Sequence, residues 1–95
     1  QKTTTYAEAI NAFVNRRIQI NDSCQLTPSS MVVKNGTTIM FDNRSGEMKK
    51  LGIDGALYYI NAYDFKILPL SSQTLPHTVQ IDCGSGRNNG RITLN

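Results

Sequence analysis

Hydrophobic spacing divides the chain into a helical opening and a long run of short strands. Tyr6, Ile10, Phe13 and Val14 recur at the spacing of one helix face, predicting a helix over 6–16. Thr5 and Glu8 fit a capping box at its start. Arg16 and Arg17 stand where cations favour the negative end of the helix dipole. So short a helix is marginal alone in water and needs something to pack against. Beyond it the period falls to two. Arg17-Ile18-Gln19-Ile20 alternates as a strand, and Met31-Val32-Val33 and Thr37 to Asp42 are rich in strand formers. Lys49-Lys50-Leu51-Gly52-Ile53 reads as a short strand before Asp54-Gly55. Leu57-Tyr58-Tyr59-Ile60 fits either a strand or a packed crossing segment. Phe65 to Leu70 is strand-like, with Pro69 pointing to an edge or a bulge. Val79, Ile81 and Cys83 alternate on one face, and Ile92 and Leu94 close the chain.

Turn chemistry separates these runs: Asn21-Asp22-Ser23, Thr27-Pro28-Ser29-Ser30, Asn35-Gly36, Asn43-Arg44-Ser45-Gly46 and Ser71-Ser72-Gln73-Thr74. Asp42-Asn43 and Asp54-Gly55 read as turn residues. About seven short strands at this spacing predict an all-β, antiparallel sandwich or barrel. The expected division is a helical segment over 1–16 and a β-sandwich over 17–95.

A chain of 95 residues has a modest core, so a cross-link would help it. The formal net charge of +3 comes from scattered Lys and Arg, with no run resembling a nucleic-acid tail. No apolar run reaches the roughly 18 residues of a membrane span, so neither nucleic acid nor membrane insertion is expected. Cys24 and Cys83 lack the spacing and clustered histidines of a zinc site. In a small domain they read as one disulfide in an oxidising compartment or as two buried thiols.

Catalytic chemistry is poorly supplied. Asp42, Asp54, Asp64 and Asp82 are isolated, with no pair at helix spacing for acid–base work. His77, the only histidine, lies six residues before Cys83 on one strand, about 20 Å away, so the two cannot share a site. Gly84-Ser85-Gly86 has no helix after it to bind phosphate. No enzyme is expected. Asn21, Asn35 and Asn43 each begin an N-glycosylation sequon, of the kind a chain rich in Asn, Ser and Thr produces by chance.

The order of these pieces carries a resemblance. Ile18-Gln19-Ile20, Pro28, Met31 to Lys34, Gly36 and a strand ending in Asn43 are followed by Pro76, Thr78 to Asp82, Cys83, Gly90 and Ile92-Thr93-Leu94. From Ile18 to Leu94 the chain resembles the cupredoxins, small Greek-key β-sandwiches that carry type 1 copper. The resemblance implies a Greek-key antiparallel sandwich with one short N-terminal helix. A type 1 site needs two imidazoles, a thiolate and usually a weak axial Met. Counted along the family pattern, the first His position holds Lys49, whose ammonium has no lone pair. The second holds Gly86, and the axial position falls at Asn88 or Asn89. Only Cys83 is retained, and Met48 beside Lys49 reads as a plug at the rim. The resemblance also places the loop with Cys24 at the copper end, so that a Cys24–Cys83 disulfide would replace the metal as cross-link.

The resulting expectation is a copper-free cupredoxin-like module, without cofactor, in an extracytoplasmic setting: secreted, periplasmic or on the cell surface. Its role would be structural or protein-binding, its partner another protein or a further domain of the same chain. Tyr58, Tyr59 and Tyr63 form the expected contact surface, Tyr being common at interfaces. The alternative is a divergent copper-binding or electron-transfer cupredoxin.

Overall fold

A computed structural model describes residues 5–84 and 89–95. Its elements in chain order are helix α1 (Tyr6–Ala12) and strands β1 (Arg17–Ile20), β2 (Leu26–Thr27), β3 (Ser30–Val33), β4 (Thr38–Asn43), β5 (Lys49–Ile53), β6 (Ala56–Ile60), β7 (Phe65–Pro69), β8 (His77–Cys83) and β9 (Gly90–Leu94). The strands form two sheets, one ordered β2-β1-β4-β7 and the other β3-β9-β8-β5-β6. Most neighbours are antiparallel, but β1 runs parallel to β4 and β3 parallel to β9. Those two parallel pairs arise because the chain crosses between sheets and does not return by a hairpin.

The core lies between the sheets. Ile18, Ile20, Ile39, Phe41, Leu51, Ile53, Ile60, Val79, Ile81, Ile92 and Leu94 meet there, each set two residues apart along its strand. Period-two spacing sends these side chains to one face of each sheet, and each fully buried one is worth about 1.5–3 kcal/mol. Leu57 to Ile60 is a strand, settled by its antiparallel register with β5. Pro69 lies on β7 at the edge of the four-stranded sheet, where a missing N–H costs least.

Helix α1 covers the outer face of that four-stranded sheet. Ala9 is buried with Met40 and Phe65, and Tyr6, Ile10, Phe13 and Ile67 pack around them. This explains why β4 is buried on both faces, Ile39 and Phe41 inward and Met40 toward the helix. The capping box is present: Glu8 N–H donates to Thr5 Oγ1 and Thr5 N–H to Glu8 Oε1. The helix is shorter than its apolar spacing predicts. It ends at Ala12, Val14 is exposed, and Arg17 already belongs to β1. Tying Arg17 into the strand beside Met40 ends the helical path, and Arg16 reaches back to the Ala12 carbonyl at 3.1 Å.

Candidate functional site

One end of the sandwich gathers Lys49, Cys83 and Asn89, the described residues counted as ligand positions, and three devices tie it together. The first is covalent. The β1–β2 loop is shaped by Asn21, whose Oδ1 accepts from the amides of Ser23 and Gln25, both at 2.9 Å. Cys24 turns there with φ 60°. It forms a disulfide with Cys83 at the end of β8, with Cα atoms 5.7 Å apart. The bridge joins a loop of one sheet to a strand of the other. A closed loop spanning a sequence separation of 59 is worth on the order of 4 kcal/mol in the chain-entropy view.

The second device is Asn89. Its Oδ1 accepts from Cys83 N–H at 3.1 Å, and its Nδ2 donates to the Cys24 carbonyl at 3.3 Å. One amide therefore binds the backbone on both sides of the bridge. The third is Lys49, only 6% exposed. Its ammonium donates to the Asp22 carbonyl at 2.9 Å and to Glu47 Oε1 at 3.0 Å. A buried ammonium is tolerable only with such partners. Here it straps the β1–β2 loop to the β4–β5 loop. Cys24, Cys83, Lys49, Lys50, Met48, Gly84 and Asn89 together border a shallow cleft.

Asn43 organises the same end from within. Fully buried at the end of β4, it places Nδ2 2.9 Å from the Glu47 carbonyl and 3.0 Å from those of Ile60 and Asn61. Its Oδ1 accepts from Ser45 N–H and Ser45 Oγ. Asp42-Asn43 is thus not a turn but the buried end of a strand. An amide so engaged cannot carry a glycan, whereas Asn21 and Asn35 are exposed.

Type 1 copper does not fit these donors. The Cys83 sulfur is bonded to Cys24, and the Lys49 nitrogen is a protonated donor already held by Asp22 and Glu47. Asn89 is turned onto backbone groups. Gly86 and Asn88 lie outside the described residues. Met48 borders the cleft at its rim but is largely exposed, so it does not fill the site. Among the described residues no three His, Cys, Asp or Glu side chains converge on a metal position. His77 stands at the far end of β8, where Nε2 meets Asp54 Oδ2 at 2.8 Å across the β5–β6 turn.

The three tyrosines have three surroundings. Tyr58 packs against the core, and Tyr59, its neighbour on β6, points outward and is exposed. Tyr63 is exposed in the loop before β7, with φ 55°, near the Arg44 guanidinium. No periodic signal marks that loop, so only the fold separates Tyr63 from the other two.

Sequence spacing also missed a charged cluster under α1. Fully buried Asp42 accepts from Tyr6 Oη at 2.8 Å, Arg17 Nε at 2.9 Å and Arg44 Nε at 2.7 Å. The Arg44 guanidinium also stacks 4.3 Å from the Tyr6 ring centre. Burial, reinforced by the hydrogen bond to Asp42, pushes the Tyr6 hydroxyl pKa above its ordinary value. Burial alone would lower Arg17, but its bonds and charge pairing with Asp42 and Tyr6 raise it further. Arg44 is a near neighbour of Asp42 in sequence, but Arg17 reaches it only through the β1–β4 pairing and Tyr6 only through the packing of α1 on the sheet.

The arrangement of two sheets, with a cysteine at the end of β8 and a closing strand β9, is the cupredoxin fold. Solved cupredoxins match it closely in shape. A purple cupredoxin from Nitrosopumilus maritimus superposes with a TM-score of 0.62 at 13% identity, covering 83% of this chain and 98% of that one. The reduced Cu(I) form of an amicyanin variant gives 0.65 at 14% identity over 83% of this chain and 80% of that one. Oxidised plastocyanin from Dryopteris crassirhizoma gives 0.60 at 15% identity over 83% and 99%. No protein-family model matches the chain, and no curated protein matches it in sequence. The likeness is therefore one of fold, and the chain is a cupredoxin-like β-sandwich whose described residues assemble no copper ligand set.

Proposed function

We propose that this chain is a copper-free cupredoxin-like module, extracytoplasmic, with a structural or protein-binding role and no catalysis. The observation that carries this reading is the fate of Cys83. The thiolate that a type 1 site requires is consumed in a disulfide, and Lys49 and Asn89 fill the surrounding positions with hydrogen bonds to protein atoms. The disulfide supports an oxidising compartment, since such bonds persist there and are scarce in reducing cytosol. Exposed Tyr59 and Tyr63 support a role through contacts with another protein or a neighbouring domain.

The deciding experiment is an absorbance titration of the oxidised protein with Cu(II), combined with mass spectrometry of the unreduced chain. A colourless solution and a chain lacking alkylatable thiols are expected. Intense thiolate-to-copper absorption would establish the divergent copper-binding reading instead.

A further inference from the structure

We propose that strand β6 is a self-association edge, pairing antiparallel with β6 of a second copy. The inference gives the protein-contact part of the proposed function a surface and a partner, and rests on that part alone.

Edges of sheets invite pairing unless they are short, charged, interrupted by Pro or covered. Among the described residues, two of the four edges meet that description and a third is a four-residue strand with a Pro and a Lys close to its ends. β2 has only two residues, β7 carries Lys66 and Pro69, and β3 lies between Pro28 and Lys34. β6, the edge of the five-stranded sheet, reads Ala56-Leu57-Tyr58-Tyr59-Ile60 and holds neither charge nor Pro.

The direction of its free hydrogen-bonding groups follows from the hairpin. Asp54 and Gly55, with φ 53° and 90°, make a two-residue type I′ turn closed by the pair Ile53–Ala56. Counting by twos, Ala56, Tyr58 and Ile60 bond to β5, and Leu57 and Tyr59 turn their N–H and C=O groups outward. The same two residues expose their side chains on the outer face, 60% and 52% respectively.

This edge is complementary to itself. Antiparallel pairing about Tyr58 sets Leu57 opposite Tyr59 of the second copy, and the reverse. Both pairs exchange two backbone bonds, and both are aliphatic–aromatic, a favourable cross-strand combination. Neighbouring strands extend each row. In one copy Leu57 lies beside Gly52, which lies beside Asp82; Tyr59 lies beside Lys50. Each row across the pair therefore runs from an acid in one copy, through Leu57 and Tyr59, to a lysine in the other. Like charges do not face each other. So small a contact falls near the lower limit of specific interfaces, which makes a weak, concentration-dependent dimer.

Sedimentation equilibrium of the oxidised protein reads this directly. The mass is expected to rise from one chain toward two, with a dissociation constant on the order of 0.1 mM. Leu57→Lys and Tyr59→Lys should each weaken association by about tenfold or more, since each introduces a charge twice into the paired edge. Thr78→Lys, on the outer face away from the edge, should leave it unchanged. Amide exchange at high concentration should slow selectively at Leu57 and Tyr59. A single-chain mass up to about 2 mM, whether the edge is bare or takes an unrelated extended segment, overturns the proposal. So does a dimer indifferent to both edge lysines. Neither outcome bears on copper, which the absorbance titration reads separately.

Discussion

Asn89 Nδ2 donates to the carbonyl of Cys24 while its Oδ1 accepts from the amide of Cys83. A single side chain thus duplicates, by hydrogen bonds, the link that the disulfide makes by covalent bond. Among the described residues, the end of the sandwich expected from the resemblance to hold a metal is tied together by protein groups.

Removing the covalent part should be costly. Cys24→Ser with Cys83→Ser, or reduction of the wild type, is expected to lower unfolding free energy by roughly 2–4 kcal/mol. That is a large fraction of the roughly 5–15 kcal/mol of a small domain. Guanidinium denaturation with and without reductant measures it. Equal midpoints would show that the bridge contributes nothing.

Lys49→Met keeps most of the side-chain volume and removes the ammonium. It leaves the Asp22 carbonyl without its Lys49 donor and releases the loop strap. A loss of about 1–3 kcal/mol is expected in urea denaturation. Glu47, whose side chain is mostly exposed, should matter less, so Glu47→Gln is expected to cost under about 1 kcal/mol.

The Tyr6 hydroxyl gives a pH signature. Its folded pKa lies above the unfolded value, so its neutral form is favoured by folding. That contribution is complete below the unfolded pKa and is lost as pH rises through the folded pKa. Tyr6→Phe should be less stable than wild type near neutrality by about 0.5–1.5 kcal/mol, with the gap narrowing at alkaline pH. Thermal melts across that range give both curves; a constant gap would refute the linkage.

Gly90→Ala should fail sterically. A Cβ there would stand 2.5 Å from Leu26 Cδ1 and 3.3 Å from the Ser29 carbonyl oxygen. Leu26 is buried and cannot swing freely. The expected cost is about 1–3 kcal/mol. In a Leu26→Ala background the same substitution should cost less, and a double-mutant cycle measures the coupling.

Much of the fold was legible because its causes are local. The capping box at Thr5 and Glu8, the alternation at Ile18 and Ile20 and at Val79, Ile81 and Cys83, and Pro69 at an edge each follow from the geometry of a few neighbouring residues. Residue type alone also carried weight at Lys49, since an ammonium cannot ligate a metal. What ligand counting could not reveal is what each position does in place of copper. Lys49 binds Asp22 and Glu47, and Asn89 binds both cysteine backbones.

Those outcomes depend on contacts between residues distant along the chain. Asp42 reads locally as a turn residue, yet β4 continues through it. Parallel pairing with β1 then buries it against Arg17, with Arg44 and Tyr6 closing around it. Val14 fits the helix face by spacing, yet β1 draws the chain out of the helix first. By itself the sequence determined most of the strands and turns, though not the strand over 57–60 or the end of β4 at Asp42-Asn43, and that a blue-copper donor set is missing, because period, turn chemistry and lone pairs are properties of single residues and close neighbours. Only the tertiary structure decided which strands pair, which charges are buried and how the vacated end is closed, because those depend on surfaces that meet only after the two sheets have packed.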